Sequence, residues 1–88
     1  MEVIYLESLI KDLKKIKDKK LLKSLKTVFV SLEESEDLFQ ISSVKKMSGH
    51  PNAYRIRIGN YRLGFYNIDG TIEIARFVKR NDIYKLFP

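Results

Sequence analysis

Arg55, Arg57 and Arg62 fall within one short stretch, Tyr54-Arg55-Ile56-Arg57-Ile58-Gly59-Asn60-Tyr61-Arg62-Leu63. The stretch reads as two strands joined by a tight Gly-Asn turn, with apolar and polar residues alternating on both sides. Side chains alternate faces along a strand. Tyr54, Ile56 and Ile58 therefore share one face, and Arg55 and Arg57 share the other. With Gly59-Asn60 as a two-residue loop, Ile58 stands opposite Tyr61 and Arg57 stands opposite Arg62. Three guanidiniums then crowd one patch of one hairpin. Like charges directly opposite one another destabilise a sheet, so the patch is either a solvated outer face or a place that meets an anion. Arginine favours phosphate, which it grips with two parallel N–H donors.

The rest of the composition narrows the chemistry. The chain has 88 residues, enough for one small domain, and 44% of them are hydrophobic, enough for a modest core. It has no cysteine and one histidine, which excludes a disulfide staple, a thiolate zinc site and a two-histidine ribonuclease mechanism. No metal or cofactor is expected. No apolar run approaches the roughly 20 residues of a membrane span. The N-terminus, Met1-Glu2-Val3-Ile4-Tyr5, lacks the order of a signal peptide, so a cytoplasmic protein without membrane contact is expected. The net charge of +6 is segregated: residues 1–40 carry eight lysines against eight acids, and residues 41–88 carry nine Lys/Arg against three. All five arginines (Arg55, Arg57, Arg62, Arg76 and Arg80) lie in the second half. Such a basic excess is the electrostatic footprint of a polyanion partner.

The elements that must position these residues follow from periodicity. Val3 to Tyr5 reads as a short strand. Leu6, Leu9, Ile10, Leu13 and Ile16 recur at helical spacing, with Lys11, Asp12, Lys14 and Lys15 between them on the polar side. A charged break at Lys17 to Lys20 precedes a second helix, whose stripe is Leu21, Leu22, Leu25, Val28, Phe29 and Leu32. The acidic run Glu33, Glu34, Glu36 and Asp37 closes it. From Gln40 the period becomes two. Strands are expected at Ile41 to Met47, Ala53 to Ile58, Tyr61 to Asn67 and Thr71 to Val78, with Asp69-Gly70 as a second hairpin turn. Asn81-Asp82 then caps a final helical turn, Ile83 to Phe87. The pattern is α+β: one strand and two helices, then a run of antiparallel strands. Strict alternation puts Tyr54 and Tyr61 in the core and Tyr66 on the arginine face. It puts Arg76 with Ile72 and Ile74, where it needs an internal partner. His50 sits in the loop Ser48 to Asn52.

Three segments carry a family resemblance. Val44-Lys45-Lys46-Met47-Ser48-Gly49-His50-Pro51 leads into Tyr54 to Arg62, close to a "YRIRVGDYR" pattern, and Lys79-Arg80-Asn81-Asp82-Ile83-Tyr84 is close to "HRRDVY". Together with Lys11 to Ile16 on the first helix, the chain resembles the RelE/ParE superfamily of toxins from toxin–antitoxin pairs. The resemblance spans essentially the whole chain. It implies a βααββββ(α) fold, two helices on a curved, mainly antiparallel sheet. Its RelE branch implies a ribosome-dependent endoribonuclease, in which the 2′-hydroxyl of mRNA in the ribosomal A site attacks the adjacent phosphate. The catalytic positions carried over are Arg55, Arg57, Arg62, Arg80 and Tyr84. Lys45, Lys46, Tyr66 and Lys79 are substrate-binding candidates. Arg55 and Arg57 stand where well-known RelE enzymes have lysines, and Lys79 and Asn81 replace the histidine and second arginine of the motif. Tyr84 has two readings open, a base-stacking residue or a C-terminal anchor. The resemblance also implies a cognate antitoxin. Its ParE branch implies a non-enzymatic poison of DNA gyrase, and an inactive RNA-binding relative is a third possibility.

Overall fold

The computed structural model describes residues 1–88. Strand β1 (Glu2–Tyr5) leads into helices α1 (Glu7–Leu13) and α2 (Lys19–Glu34). A 3₁₀ turn (Leu38–Gln40) follows, and then β2 (Val44–Lys46), β3 (Ala53–Ile58), β4 (Tyr61–Ile68), β5 (Thr71–Lys79) and α3 (Ile83–Leu86). The sheet order is β1-β5-β4-β3-β2. Only β1 and β5 run parallel; the other neighbours are antiparallel. This is the expected α+β arrangement, βααββββα.

The core lies between the helices and one sheet face. Leu9, Leu25 and Leu32 from the helices meet Ile56, Ile58, Leu63, Phe65, Ile72, Ile74 and Phe77, and Leu38 closes one end. Burying each such side chain contributes about 1.5–3 kcal/mol. Tyr54 stacks on Phe65 and Tyr61 on Phe77, with ring centroids 5.8 and 5.0 Å apart, so both tyrosines join the core as their alternation requires.

The boundaries differ from the sequence pattern where local chemistry intervenes. Helix α2 starts inside the charged break, because the Asp18 side chain accepts from the backbone N–H groups of Lys20 and Leu21 at 3.0 and 3.1 Å. The strand expected over 41–47 shrinks to Val44–Lys46, since Ser43 adopts a left-handed φ of 68° that extended chain cannot continue through. Asp82 occupies the N-cap position of α3 without a side-chain capping bond. The second hairpin turn matches expectation: Asp69 and Gly70 both take positive φ, 51° and 88°, as a type I′ turn demands.

One irregularity reorganises the edge of the sheet. Between β4 and β5 the register slips, so that Gly64 pairs with Arg76 while Phe65 pairs with Ile74. Ala75 is the extra residue of a β-bulge. Alternation along β5 therefore reverses, and Phe77 rather than Arg76 joins Ile72 and Ile74 in the core. Arg76 is displaced from the face that strict alternation assigned to it. Its internal partner is Asp12, which accepts from Arg76 Nε at 2.8 Å and Nη2 at 3.0 Å. Asp12 Oδ2 also accepts from the Phe77 backbone N–H at 3.0 Å, and Ser8 Oγ donates to the Ala75 carbonyl. Beyond Tyr5, where β1 ends, α1 thus satisfies the edge of β5 with side chains. This places Asp12 in the interior, 6% exposed, and leaves Ile10 at 45% on the outside, the reverse of the helical-stripe expectation.

Two stability predictions follow. Asp12→Ala leaves a partly buried guanidinium and the Phe77 N–H without a partner, and should cost about 3 kcal/mol in chemical denaturation. Tyr5 donates its hydroxyl to Glu33 Oε2 at 2.7 Å, and burial, followed by the Glu33 carboxylate, raises its pKa to about 12. The fold favours the neutral phenol, so this contribution is complete below the unfolded value of 10.0 and is lost as pH rises towards 12. Tyr5→Phe should therefore lose less stability than wild type between those two pH values.

Candidate active site

The hairpin forms as its alternation dictates. Gly59 takes a φ of 57° in the turn, Ile58 pairs with Tyr61 and Arg57 pairs directly with Arg62. Arg55 pairs with Gly64, and Lys45 on β2 pairs with Arg55. Lys45, Arg55, Arg57, Arg62 and Gly64 stand on the sheet face away from α1 and α2, whereas Ile58 and Tyr61 face the core. Arg80 arrives from the end of β5, where its backbone N–H donates to the Asn60 carbonyl at 2.9 Å and ties that end to the hairpin tip. Tyr84 comes from α3, which lies across the same face; the Arg55 guanidinium carbon sits 5.4 Å from its ring centroid. Five residues from two strands, the residue that follows β5 and a helix thus converge.

Their charges interact. Burial, and then the like charges of Arg57, Arg80 and Arg55 in that order, hold the Arg62 pKa below the ordinary arginine value, with Tyr84 acting the other way. A guanidinium nonetheless stays protonated at neutral pH. Its Nη1 donates to the Gly59 and Tyr61 carbonyls at 3.1 and 2.9 Å, which fixes the guanidinium over the turn. Arg55 is held by a Nη1 contact of 3.9 Å to Met47 Sδ. No carboxylate lies within 4.0 Å of Arg55, Arg57, Arg62 or Arg80; the only ion pairs are Lys11–Glu7 and Arg76–Asp12. Preorganised, uncompensated cations on an open face are suited to bind a phosphodiester and to stabilise extra charge developing on it.

The other sequence candidates divide. Lys45 is exposed on the arginine face. Lys46 pairs with Tyr54 and therefore stands on the helix side, where it lines a cavity of about 630 Å³ with Leu38, Phe39 and Ile41. Lys79 pairs with Tyr61, again on the helix side. Both were expected with the arginines; Lys46 is parted from Lys45 by ordinary strand alternation, and Lys79 is turned to the helix side by the bulge in β5. Tyr66 is on the arginine face as expected, but its ring packs on Phe87 at 5.0 Å. His50 is exposed in its loop. Two residues escaped the sequence reading: Gly64, which resembled an ordinary strand glycine, and Phe87, which resembled an unremarkable C-terminal apolar residue. Their contact appears only in three dimensions.

Comparison with known proteins identifies the family. The family model described as ParE toxin of type II toxin-antitoxin system, parDE, matches residues 3–84. Toxin RelE3 of Methanocaldococcus jannaschii is 35% identical over 89 residues, covering all of both chains. The chain belongs to the RelE/ParE superfamily of toxins. The toxin of a RelB–RelE antitoxin–toxin complex from Methanococcus jannaschii is 33% identical, with a TM-score of 0.82 over 97% of this chain and 99% of that one. YoeB from Staphylococcus aureus, solved as a dimer, is 25% identical with a TM-score of 0.71 over 90% and 94% of the two chains. The superfamily assignment makes this chain the toxin of a toxin–antitoxin pair. No helix of this RelE/ParE toxin is long and apolar enough to cross a membrane.

The crowded guanidiniums give a direct prediction. A phosphate-bearing ligand that binds only the folded toxin stabilises it by mass action, about 2.7 kcal/mol at a hundredfold excess over Kd. Inorganic pyrophosphate should raise the unfolding midpoint of the wild-type protein, and Arg57→Ala/Arg62→Ala should abolish that rise.

Proposed function

We propose that this toxin is a metal-independent endoribonuclease that cleaves mRNA in the ribosomal A site, in the cytoplasm, and that a cognate antitoxin neutralises it. The observation that carries the reading is the convergence of Arg55, Arg57, Arg62, Arg80 and Tyr84 on one uncompensated face. In this reaction the RNA 2′-oxygen bonds to the adjacent phosphorus while the bond to the 5′-oxygen breaks. A cyclic phosphate remains on one product, the 2′ proton passes to solvent, and the departing 5′-oxygen takes a proton from solvent to leave as a hydroxyl. Arg57 and Arg62, paired side by side, clamp the non-bridging oxygens as charge accumulates on the phosphorane. Arg80 offsets charge on the departing 5′-oxygen. Arg55 supports the clamp from below Tyr84, whose ring stacks on a base and so aligns the nucleotide. Lys45 extends the cationic track towards the edge of the sheet. A guanidinium is a poor base, so rate acceleration comes from in-line positioning and electrostatics, with the ribosome completing the geometry. The structural likeness to toxins solved with RelB, or named RelE, supports this branch over gyrase poisoning.

The test is controlled expression followed by mapping of mRNA 5′ ends. New in-frame cleavages are expected within translated regions. Arg57→Ala/Arg62→Ala should reduce them by about a hundredfold or more, in keeping with the loss of preorganised oxyanion donors. Growth arrest with DNA damage and intact mRNA would instead assign the protein to the ParE mode.

A further inference from the structure

Helix α3 has only four residues, Ile83–Leu86, and its N-cap makes no side-chain bond. Helices this short do not persist by themselves. Its placement must therefore come from tertiary contacts, and two anchors supply them. Ile83 and Phe87, one turn apart, are 0% and 2% exposed, packed with Met47, Ala53 and Ala75. Tyr84, on the outer side of that turn, is 64% exposed.

The seat for Phe87 is made by an absent side chain. A Cβ built on Gly64 would lie 2.6, 2.8 and 2.9 Å from three carbons of the Phe87 ring. The backbone at Gly64 does not need glycine, since positive φ occurs at Gly49, Gly59 and Gly70 but not there. Gly64 is therefore required for space. Ala53 on β3 and Ala75 at the bulge of β5 belong to the cluster that holds Phe87, and the Tyr66 ring packs against the Phe87 ring at 5.0 Å. Gly64 also pairs with Arg55, the residue whose guanidinium meets the Tyr84 ring. One position on β4 thus seats the anchor of α3 next to the arginine that α3 must reach.

We propose that Gly64 and Phe87 form a latch that positions Tyr84 over Arg55 in the phosphate site. They are positioning residues: neither reaches the substrate, and both act through the placement of one aromatic ring. The proposal rests on the arginine face being the reactive site, and its test separates the two claims. The first readout is the ring-current shift of the Arg55 side-chain protons, with Tyr84→Ala as the reference for its loss. Gly64→Ala and Phe87→Ala, each checked for cooperative unfolding, should lose the shift, whereas Phe87→Leu, which keeps an apolar anchor, should retain it. Persistence of the shift in folded Gly64→Ala and Phe87→Ala overturns the latch. Should Gly64→Ala fail to fold, Phe87→Ala decides alone. The second readout is cleavage on programmed ribosomes. Gly64→Ala should lower kcat by about ten- to a hundredfold, to the level of Tyr84→Ala, with KM unchanged. Gly64→Ala/Tyr84→Ala should be no slower than Tyr84→Ala, and Phe87→Leu should stay within about threefold of wild type. Additive losses in the double variant overturn the latch. Absence of cleavage by wild type overturns the ribonuclease reading, and the ring-current result still decides the latch.

Discussion

Two arginines held directly opposite one another, Arg57 and Arg62, set the terms for the rest of this structure. Their repulsion works against the hairpin that carries them, and Arg55 and Arg80 add to it. Nothing on that face neutralises them. The pairing persists because the other face of the same strands buries Ile56, Ile58, Leu63 and Phe65 under two helices. Hydrophobic burial on one side outweighs electrostatic cost on the other. The cations are thus already in place on that face, the arrangement that the proposed phosphoryl chemistry requires.

Arg76 is the counter-example within the same sheet. It is an arginine on the last strand with a register partner on the same face, yet it takes no part in the cationic cluster. Asp12 claims it with two hydrogen bonds and uses a third contact to hold the Phe77 backbone. What sets Arg76 apart from the unpaired arginines is the presence of a buried carboxylate within reach. That carboxylate is available because the bulge at Ala75 turns the strand edge towards α1.

The C-terminal segment completes the site from outside the sheet. It covers the part of the arginine face near Tyr66 and leaves the Gly59-Asn60 hairpin tip exposed. Small residues at 53, 64 and 75 make the covering possible. The same choice explains why Tyr66, correctly placed on this face by alternation, is occupied by packing on Phe87 and does not line an open groove.

The order of strands and helices, the Gly59-Asn60 turn, the Arg57–Arg62 pairing and the core tyrosines were all legible in the sequence. Each follows from a local period or from a two-residue turn, and local geometry is a property of neighbouring residues. The burial of Asp12, the outward Ile10, the helix-side position of Lys79 and the seat of Phe87 on Gly64 were not. Each depends on where a bulge falls or on which element crosses an edge, and one extra residue in a strand exchanges its faces without altering the composition that periodicity reads. The sequence by itself determined that this chain builds a two-faced sheet with cations on one side. Tertiary structure decided which cations stay free, because only packing brings Asp12 to one arginine and the Tyr84 ring to another.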